Sequence, residues 1–383
     1  MSTKFEAIVA GTGGFGSSCL YHLARRGVRV LGLDRFGAGH DRGSSHGDTR
    51  IIRQAYFEHP DYVPLLQRAY ELWRELEAAS GRDLMKLCGL FLAGPPDSEV
   101  VSGTKLAAKL HGLSVEDISP ADSLNDGGTR FPGFRMPDGF DAVFEPAGGY
   151  LLVENCVQTH LQLACELGAE HRTGEAIVSW HSDGQTVRVR TDSEEYEAAS
   201  LILTPGAWAS HLLGNIPGMP ELRVLRKTMH WHNVRSNVYD VDRGGRGFLV
   251  EMPYGIFYGF PSIDNRTLKL AEHSGGSVIT DPLHVDRSLQ DSDSQPVRRF
   301  IQEVMPDVDL ASDRHSVCMY TATPDSHFIV DRHPEHSNVF FGAGFSGHGF
   351  KFTSVLGEAL ADLAIDGETN LPIDFLSLSR FQS

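Results

Sequence analysis

The chain has 383 residues, 41% of them apolar and 22% charged, the balance of an ordinary water-soluble globular protein. Its length exceeds the roughly 100–200 residues that one core usually serves, so two domains are expected. Lysine and arginine number 34 against 50 aspartate and glutamate, a net charge of −16 that opposes phosphate backbones and anionic lipid surfaces, so neither nucleic acid nor membrane is an expected partner.

Residues 5–10 (FEAIVA) form a short apolar run that stops at Gly11. Apolar residues then recur at helical spacing through Cys19, Leu20, Leu23 and Ala24 to a stop at Gly27, and a second apolar strand, Val28 to Leu33, ends at Asp34. This is a βαβ unit, and its turn reads Gly11-Thr-Gly13-Gly-Phe-Gly16. The GxGxxG spacing supplies a tight turn, a close approach of backbone to pyrophosphate, and close helix–strand packing. A carboxylate at Asp34, at the end of the second strand, can accept hydrogen bonds from ribose hydroxyls and repels a 2′-phosphate. The unit therefore predicts dinucleotide binding, without distinguishing FAD from NAD.

Further along, residues 61–79 and 153–167 have helical periodicity, the second closed by Gly168. Between them, residues 86–145 are rich in Gly, Pro and Asp. Residues 185–205 read as strands, and 221–275, aromatic and β-branched, as an antiparallel sheet; Thr353–Ile365 is the last helical pattern. The fold class expected is α/β: a Rossmann-like domain from residues 1–85, 145–220 and 325–383, interrupted by 86–144 and 221–324, which build a second, α+β substrate domain on an antiparallel sheet. The five cysteines (Cys19, Cys88, Cys156, Cys165, Cys318) lack zinc spacing, which favours a reducing, cytoplasmic location. His230 and His232 share one side of a strand but lack a third ligand and read as a core or surface pair, not a metal site; His333 and His336 read as solvated.

Three segments carry a resemblance: Gly43-Ser-Ser-His-Gly-Asp-Thr-Arg-Ile-Ile-Arg53, Cys318-Met-Tyr-Thr-Ala-Thr-Pro-Asp325 with His327-Phe-Ile, and Gly342-Ala-Gly-Phe-Ser-Gly-His-Gly-Phe-Lys351. Together they resemble the monomeric sarcosine oxidase and N-methyltryptophan oxidase family, and the similarity extends over essentially the whole chain. Pipecolate oxidases share much of the pattern, so it names a family and not a substrate.

The resemblance implies FAD as cofactor, joined covalently through the sulfur of Cys318. It places Gly206 (in LTPGAW) and Gly347 at close backbone approaches to the flavin, and His46 and Arg50 against its face. Lys351, at a helix start, would face developing negative charge on the reduced ring. Arg53 and Lys351 match the pair that holds a substrate carboxylate, for which a guanidinium fork is suited. Tyr258, Tyr320 and His273 would line the substrate side, and Lys269 would promote reaction with O2. Met252, Tyr254 and Phe257 are expected to set pocket size. The implied activity is oxidation of a secondary (N-methyl) amino acid to an imine, then aldehyde and amino acid, with H2O2 as the second product, by a monomer. The alternatives are a cyclic, pipecolate-type substrate, a flavin dehydrogenase with another acceptor, and a non-catalytic dinucleotide-binding protein.

Overall fold

The computed structural model describes residues 4–118 and 130–381. The first half contains β1 (Lys4–Ala10), α1 (Gly14–Arg25), β2 (Val30–Asp34), β3 (Thr49–Ile52), α2 (Val63–Ser80), β4 (Met85–Lys86), β5 (Leu90–Gly94), α3 (Glu99–His111), β6 (Glu116–Ile118), β7 (Asp141–Glu145), β8 (Gly149–Leu152) and α4 (Val153–Glu166). The second half adds β9 (Glu170–Thr173), β10 (Ile177–Ser182), β11 (Val187–Thr191), β12 (Glu195–Leu203), α5 (Ala209–Leu213), β13 (Arg223–Val234), β14 (Gly247–Met252), β15 (Gly255–Gly259), β16 (Thr267–Glu272) and β17 (Ser277–Ile279). It closes with α6 (Asp291–Val304), β18 (Val308–Ala322), β19 (Ile329–Arg332), β20 (Val339–Ala343) and α7 (Thr353–Asp366).

The first sheet has a parallel centre, β9-β2-β1-β12-β20. The β10–β11 hairpin pairs along the first part of β12, and β19 pairs antiparallel with β20. A parallel sheet covered on both faces needs strands that are apolar throughout. β1 meets that need: Ala7 and Val9 join the core under α1, α2, α4 and α7, while Ile8 and Ala10 pack on the opposite face against β11 and α5. The helices end where the sequence provides a stop, with Gly81, Gly112 and Gly367 in left-handed conformation after α2, α3 and α7.

The second sheet runs β17-β13-β16-β15-β14-β5-β7-β6, with the long strand β18 paired to β13. Strand alternation divides its residues cleanly. Phe248, Val250, Met252, Phe257, Leu268 and Leu270 face α6, where the Phe257 and Phe300 rings stack 4.6 Å apart. Leu249, Tyr258, Met229, Cys318 and Tyr320 face the other way, toward the first sheet. A small third sheet, β3-β8-β4, lies at the junction. No helix among the described residues is long and apolar enough to cross a membrane. His230 and His232 are a core pair, both buried; His333, expected to be solvated, is also buried, because its Nδ1 accepts from the Glu335 N–H and closes the β19–β20 turn inward.

Candidate active site

β1 ends at Ala10, and the chain turns at Gly11 with φ +92°. A Cβ at Gly11 would sit 2.5 Å from the Thr204 carbonyl oxygen, and one at Gly16 would sit 1.8 Å from the Gly11 oxygen. Gly13 is different: the nearest atom to a Cβ there is Ser45 Oγ at 3.9 Å, so its free side is open. α1 starts with no side-chain cap from Gly13 and no acidic residue in its first turn; Ser45 Oγ accepts from Gly14 N at 3.2 Å. Its N-terminal amides and positive dipole end are thus presented to an anion. Asp34, at the end of β2, fastens this loop: it accepts from Thr12 N at 2.7 Å and from Phe36 N at 2.9 Å.

From this loop a cavity of about 1850 Å³, counted out to its mouth, runs between the two large sheets. Gly206 borders it with φ +56° and nothing within 4 Å of a Cβ, whereas Gly347 makes room for the Tyr320 ring, 2.3 Å from where a Cβ would be. Arg50, on β3, borders it midway, its guanidinium donating to Ser44 O at 2.8 Å and Thr49 O at 2.9 Å.

Arg53 and Lys351 meet at the far end, both buried. The Arg53 guanidinium lies 4.2 Å from the Tyr56 ring and 4.3 Å from the Phe57 ring, donates to Ala55 O at 3.0 Å, and pairs with Glu58. Lys351 occupies a single turn, Phe350–Phe352, ahead of α7; its Nζ donates to His348 O at 2.7 Å and its carbonyl accepts from Trp73 Nε1 at 3.1 Å. Burial, with the Arg53 charge beside it, pulls Lys351 down to about 7. Burial pushes Glu58 up, but Arg53, His348 and Lys351 outweigh it and hold the carboxyl at about 2. Across the cavity stand Leu249 on β14, Tyr258 on β15, Tyr320 on β18 and His273 just past β16. The His273 ring is 5.7 Å from that of Tyr320, and burial pulls it down to about 4, leaving a neutral imidazole at pH 7.

Four expected site residues are not on this cavity's wall: Gly16, which packs against the Gly11 backbone and the Thr204 side chain behind it, and Lys269, His46 and Cys318. Lys269 is buried, its Nζ donating to Gly47 O at 2.5 Å and Thr49 O at 2.7 Å; it borders a second, smaller cavity with Asp48, Trp231, Phe260 and Arg314. Burial lowers its pKa well below that of a free lysine. His46 is buried with its Nδ1 3.4 Å from Ser316 Oγ and its Nε2 unpartnered. Cys318 is buried on β18, opposite Lys227 of β13 in the ladder. The pocket-size expectation is also corrected: Met252 and Phe257 face α6, and Leu249 and Tyr258 take that place because they have the opposite strand parity.

Sequence reasoning missed Glu58, Tyr56 and His348. His348 Nδ1 is hydrogen-bonded to Tyr56 OH and its Nε2 to Ser326 O at 3.0 Å, so the motif histidine is fixed from both sides and is pulled down to about 3 by burial. Its place inside the quoted GFSGHGFK run was the only signal.

A family model described as FAD dependent oxidoreductase matches residues 6–363. A monomeric sarcosine oxidase from Bacillus sp. (strain B-0618) is 41% identical, with 99% of this chain and 97% of that protein covered. An N-methyl-L-tryptophan oxidase from Escherichia coli O139:H28 is 35% identical over 99% of this chain and 100% of its own. Among solved structures, NikD, an unusual amino acid oxidase essential for nikkomycin biosynthesis, is 23% identical with a TM-score of 0.86 and 98% of both chains covered, a likeness of fold. The start of α1, with no acidic residue in its first turn, the open side of Gly13 and the open face at Gly206 fit an extended dinucleotide, and Arg53 and Lys351 fit its redox end. On full-length similarity and on this geometry, the chain belongs to the FAD-dependent oxidoreductases, in the group of the monomeric sarcosine oxidases and N-methyl-L-tryptophan oxidases.

Proposed function

We propose that this protein oxidises the C–N bond of a secondary, N-methyl amino acid, with O2 as electron acceptor and H2O2 as product. The observation that carries the reading is the pair of buried cations, Arg53 and Lys351, at the far end of a cavity that starts at the phosphate loop. A carboxylate taken out of water needs such partners. The sheet that carries the loop would hold the dinucleotide, and the second sheet would supply the wall that faces the substrate. That division corresponds to residues 1–85, 145–220 and 325–383 against 86–144 and 221–324.

FAD, when bound, supplies the acceptor for the two electrons and the hydrogen leaving the substrate carbon. Gly11, Gly13, Gly16 and Asp34 would hold its dinucleotide part, and Gly206, Gly347, His46 and Arg50 would flank the ring. Cys318 is the thiol for a thioether link. Arg53 and Lys351 would bind the substrate carboxylate, and Tyr258, Tyr320 and His273 would orient the amine. Arg53 and Lys351, set against the one carboxylate Glu58, oppose the amine's protonated form, and a neutral His273 imidazole can hydrogen-bond the amine. Lys269, a buried amine whose Nζ donates to Gly47 O and Thr49 O, would in its protonated form stabilise negative charge as O2 is reduced. A cytoplasmic monomer suits this chemistry.

The test is a panel of sarcosine, N-methyl-L-tryptophan and pipecolate under air, with peroxide, aldehyde and O2 measured. Peroxide matching O2 consumed, and aldehyde matching both for the N-methyl substrates, is expected. Turnover of none of them overturns the reading, and turnover only with an artificial acceptor overturns the oxidase part. Acid precipitation that releases all the yellow colour removes Cys318 alone.

A further inference from the structure

Glu145 lies at the C-terminal end of β7, whose partner across the ladder is Leu90 of β5 in the second sheet. It is 1% exposed, and its carboxylate does not point into its own sheet. Its Oε1 accepts from Gln54 N at 2.6 Å and from Ala55 N at 3.1 Å. Those amides belong to the first residues after Arg53, where the chain has left β3 and no longer has a strand partner. The turn that follows Glu145 is fixed as well, since Tyr70 OH of α2 donates to Ala147 O at 2.7 Å. Burial raises the Glu145 pKa, while the Gln54 and Ala55 amides and the Arg53 and Lys351 charges pull the other way.

We infer that Glu145 is a positioning residue for the carboxylate clamp: anchored in the second sheet, it holds the backbone at Gln54 and Ala55 so that the Arg53 fork faces the cavity. The inference rests on the proposed reading of Arg53 as a substrate-carboxylate ligand. Arg53 itself donates to Ala55 O, so the residue whose carbonyl receives its guanidinium is the one whose N–H Glu145 fixes. Without that acceptor two amides lose their partner and the 53–58 segment loses this tie to β7. The damage should fall on ligand binding, because Tyr258 and Tyr320 stand on other strands and His273 just past one.

The experiment compares Glu145→Ala and Glu145→Gln with the unaltered holoenzyme in three measurements: KM and kcat for the best amino acid, the dissociation constant of acetate read from flavin absorbance, and amide hydrogen exchange at residues 54–55. Expected for the alanine variant is a rise of about tenfold or more in KM and in the acetate constant, with kcat within about threefold and faster exchange at both amides. The glutamine variant, which keeps an oxygen acceptor, should recover most of the binding. If Glu145→Ala does not fold, Glu145→Asp, with an acceptor too short to reach both amides, takes its place with the same expectation. Unchanged KM and acetate binding overturns the inference, as does a kcat loss equal to the KM rise, or a glutamine variant no better than alanine. An unaltered enzyme inert to every secondary amine would instead sink the functional reading, and the acetate and exchange measurements would still decide the role of Glu145.

Discussion

Lys351 gives the site a pH dependence of definite sign. Burial and Arg53 pull it down to about 7, so it is an ammonium below that pH and a neutral amine above it. A carboxylate ligand needs the ammonium. Affinity for acetate should therefore weaken as pH rises above about 7, approaching a tenfold loss per pH unit; Lys351→Met should bind weakly and lose this dependence. An amino acid substrate adds an opposing limb, because its amine must shed a proton to react. kcat/KM for the substrate should then be bell-shaped where acetate binding only falls. Acetate affinity that is flat from pH 6 to 9 would count against the assignment of Lys351. Lys269 makes a separate residue-scale case, since it borders its own cavity and touches none of the clamp. Lys269→Met should leave anaerobic flavin reduction by substrate within about threefold and slow reoxidation by O2 about 100-fold or more, read by stopped-flow absorbance.

The βαβ element can be tested through its glycines. Gly16→Ala puts a Cβ 1.8 Å from the Gly11 oxygen, a backbone atom that can yield only if α1 moves from β1. It should cost about 1–3 kcal/mol in unfolding free energy and reduce FAD retention together. Gly13→Ala has a negative φ (−67°) and nothing nearer than 3.9 Å to its Cβ, so the apoprotein should keep most of its stability while FAD binding suffers. Equal thermal stability of the two apoproteins would contradict this division of roles. The same element shows why part of the fold was legible. Glycines at fixed spacing between two apolar strands have one use, and β1, α1 and β2 lie where that spacing predicts. α6 was not legible: SLQDSDSQP reads as a loop, Pro296 stands within the helix, and only the finished sheet supplies the apolar surface for Val297, Phe300, Ile301 and Val304. α3 was lost in the same way inside a Gly- and Pro-rich stretch. Strand alternation is visible at 247–258, but which face meets α6 and which meets the cavity depends on that unread helix, so Met252 and Phe257 fall on the α6 face and Leu249 joins the expected Tyr258 on the cavity. Glu145 had no local signal at all, because its partners are backbone amides some ninety residues away in sequence.

At the scale of the whole molecule, buried histidines link stability to pH in both halves. Burial pulls His160, beneath the first sheet's helices, down to about 3, and His230, between the second sheet and α6, down to about 4. His273 and His348, at the cavity between the sheets, are pulled to about 4 and about 3. In the unfolded chain each titrates near its ordinary value of about 6.5. Between roughly 6.5 and 4 the unfolded state therefore binds more protons through these histidines than the folded one, so their contribution to stability is complete above that window and is lost as pH falls through it. Each such histidine adds a slope of up to about 1.4 kcal/mol per pH unit. Glu58, held at about 2, contributes its own loss only below the ordinary carboxylate range, so the upper part of the window belongs to histidine. Because the groups lie in both halves, acid should lower the melting of both together, and calorimetry between pH 8 and 4.5 should show Tm falling modestly from pH 8 to about 7, where folded Lys351 takes up its proton, and steeply below about 6.5. His230, with both ring nitrogens unpartnered, allows a direct check. His230→Leu removes two buried polar atoms along with the titrating group, so its Tm at pH 8 should be no lower than that of the unaltered protein, and its fall between pH 6.5 and 4.5 should be shallower. An identical slope in the two proteins would show that the acid response comes from elsewhere.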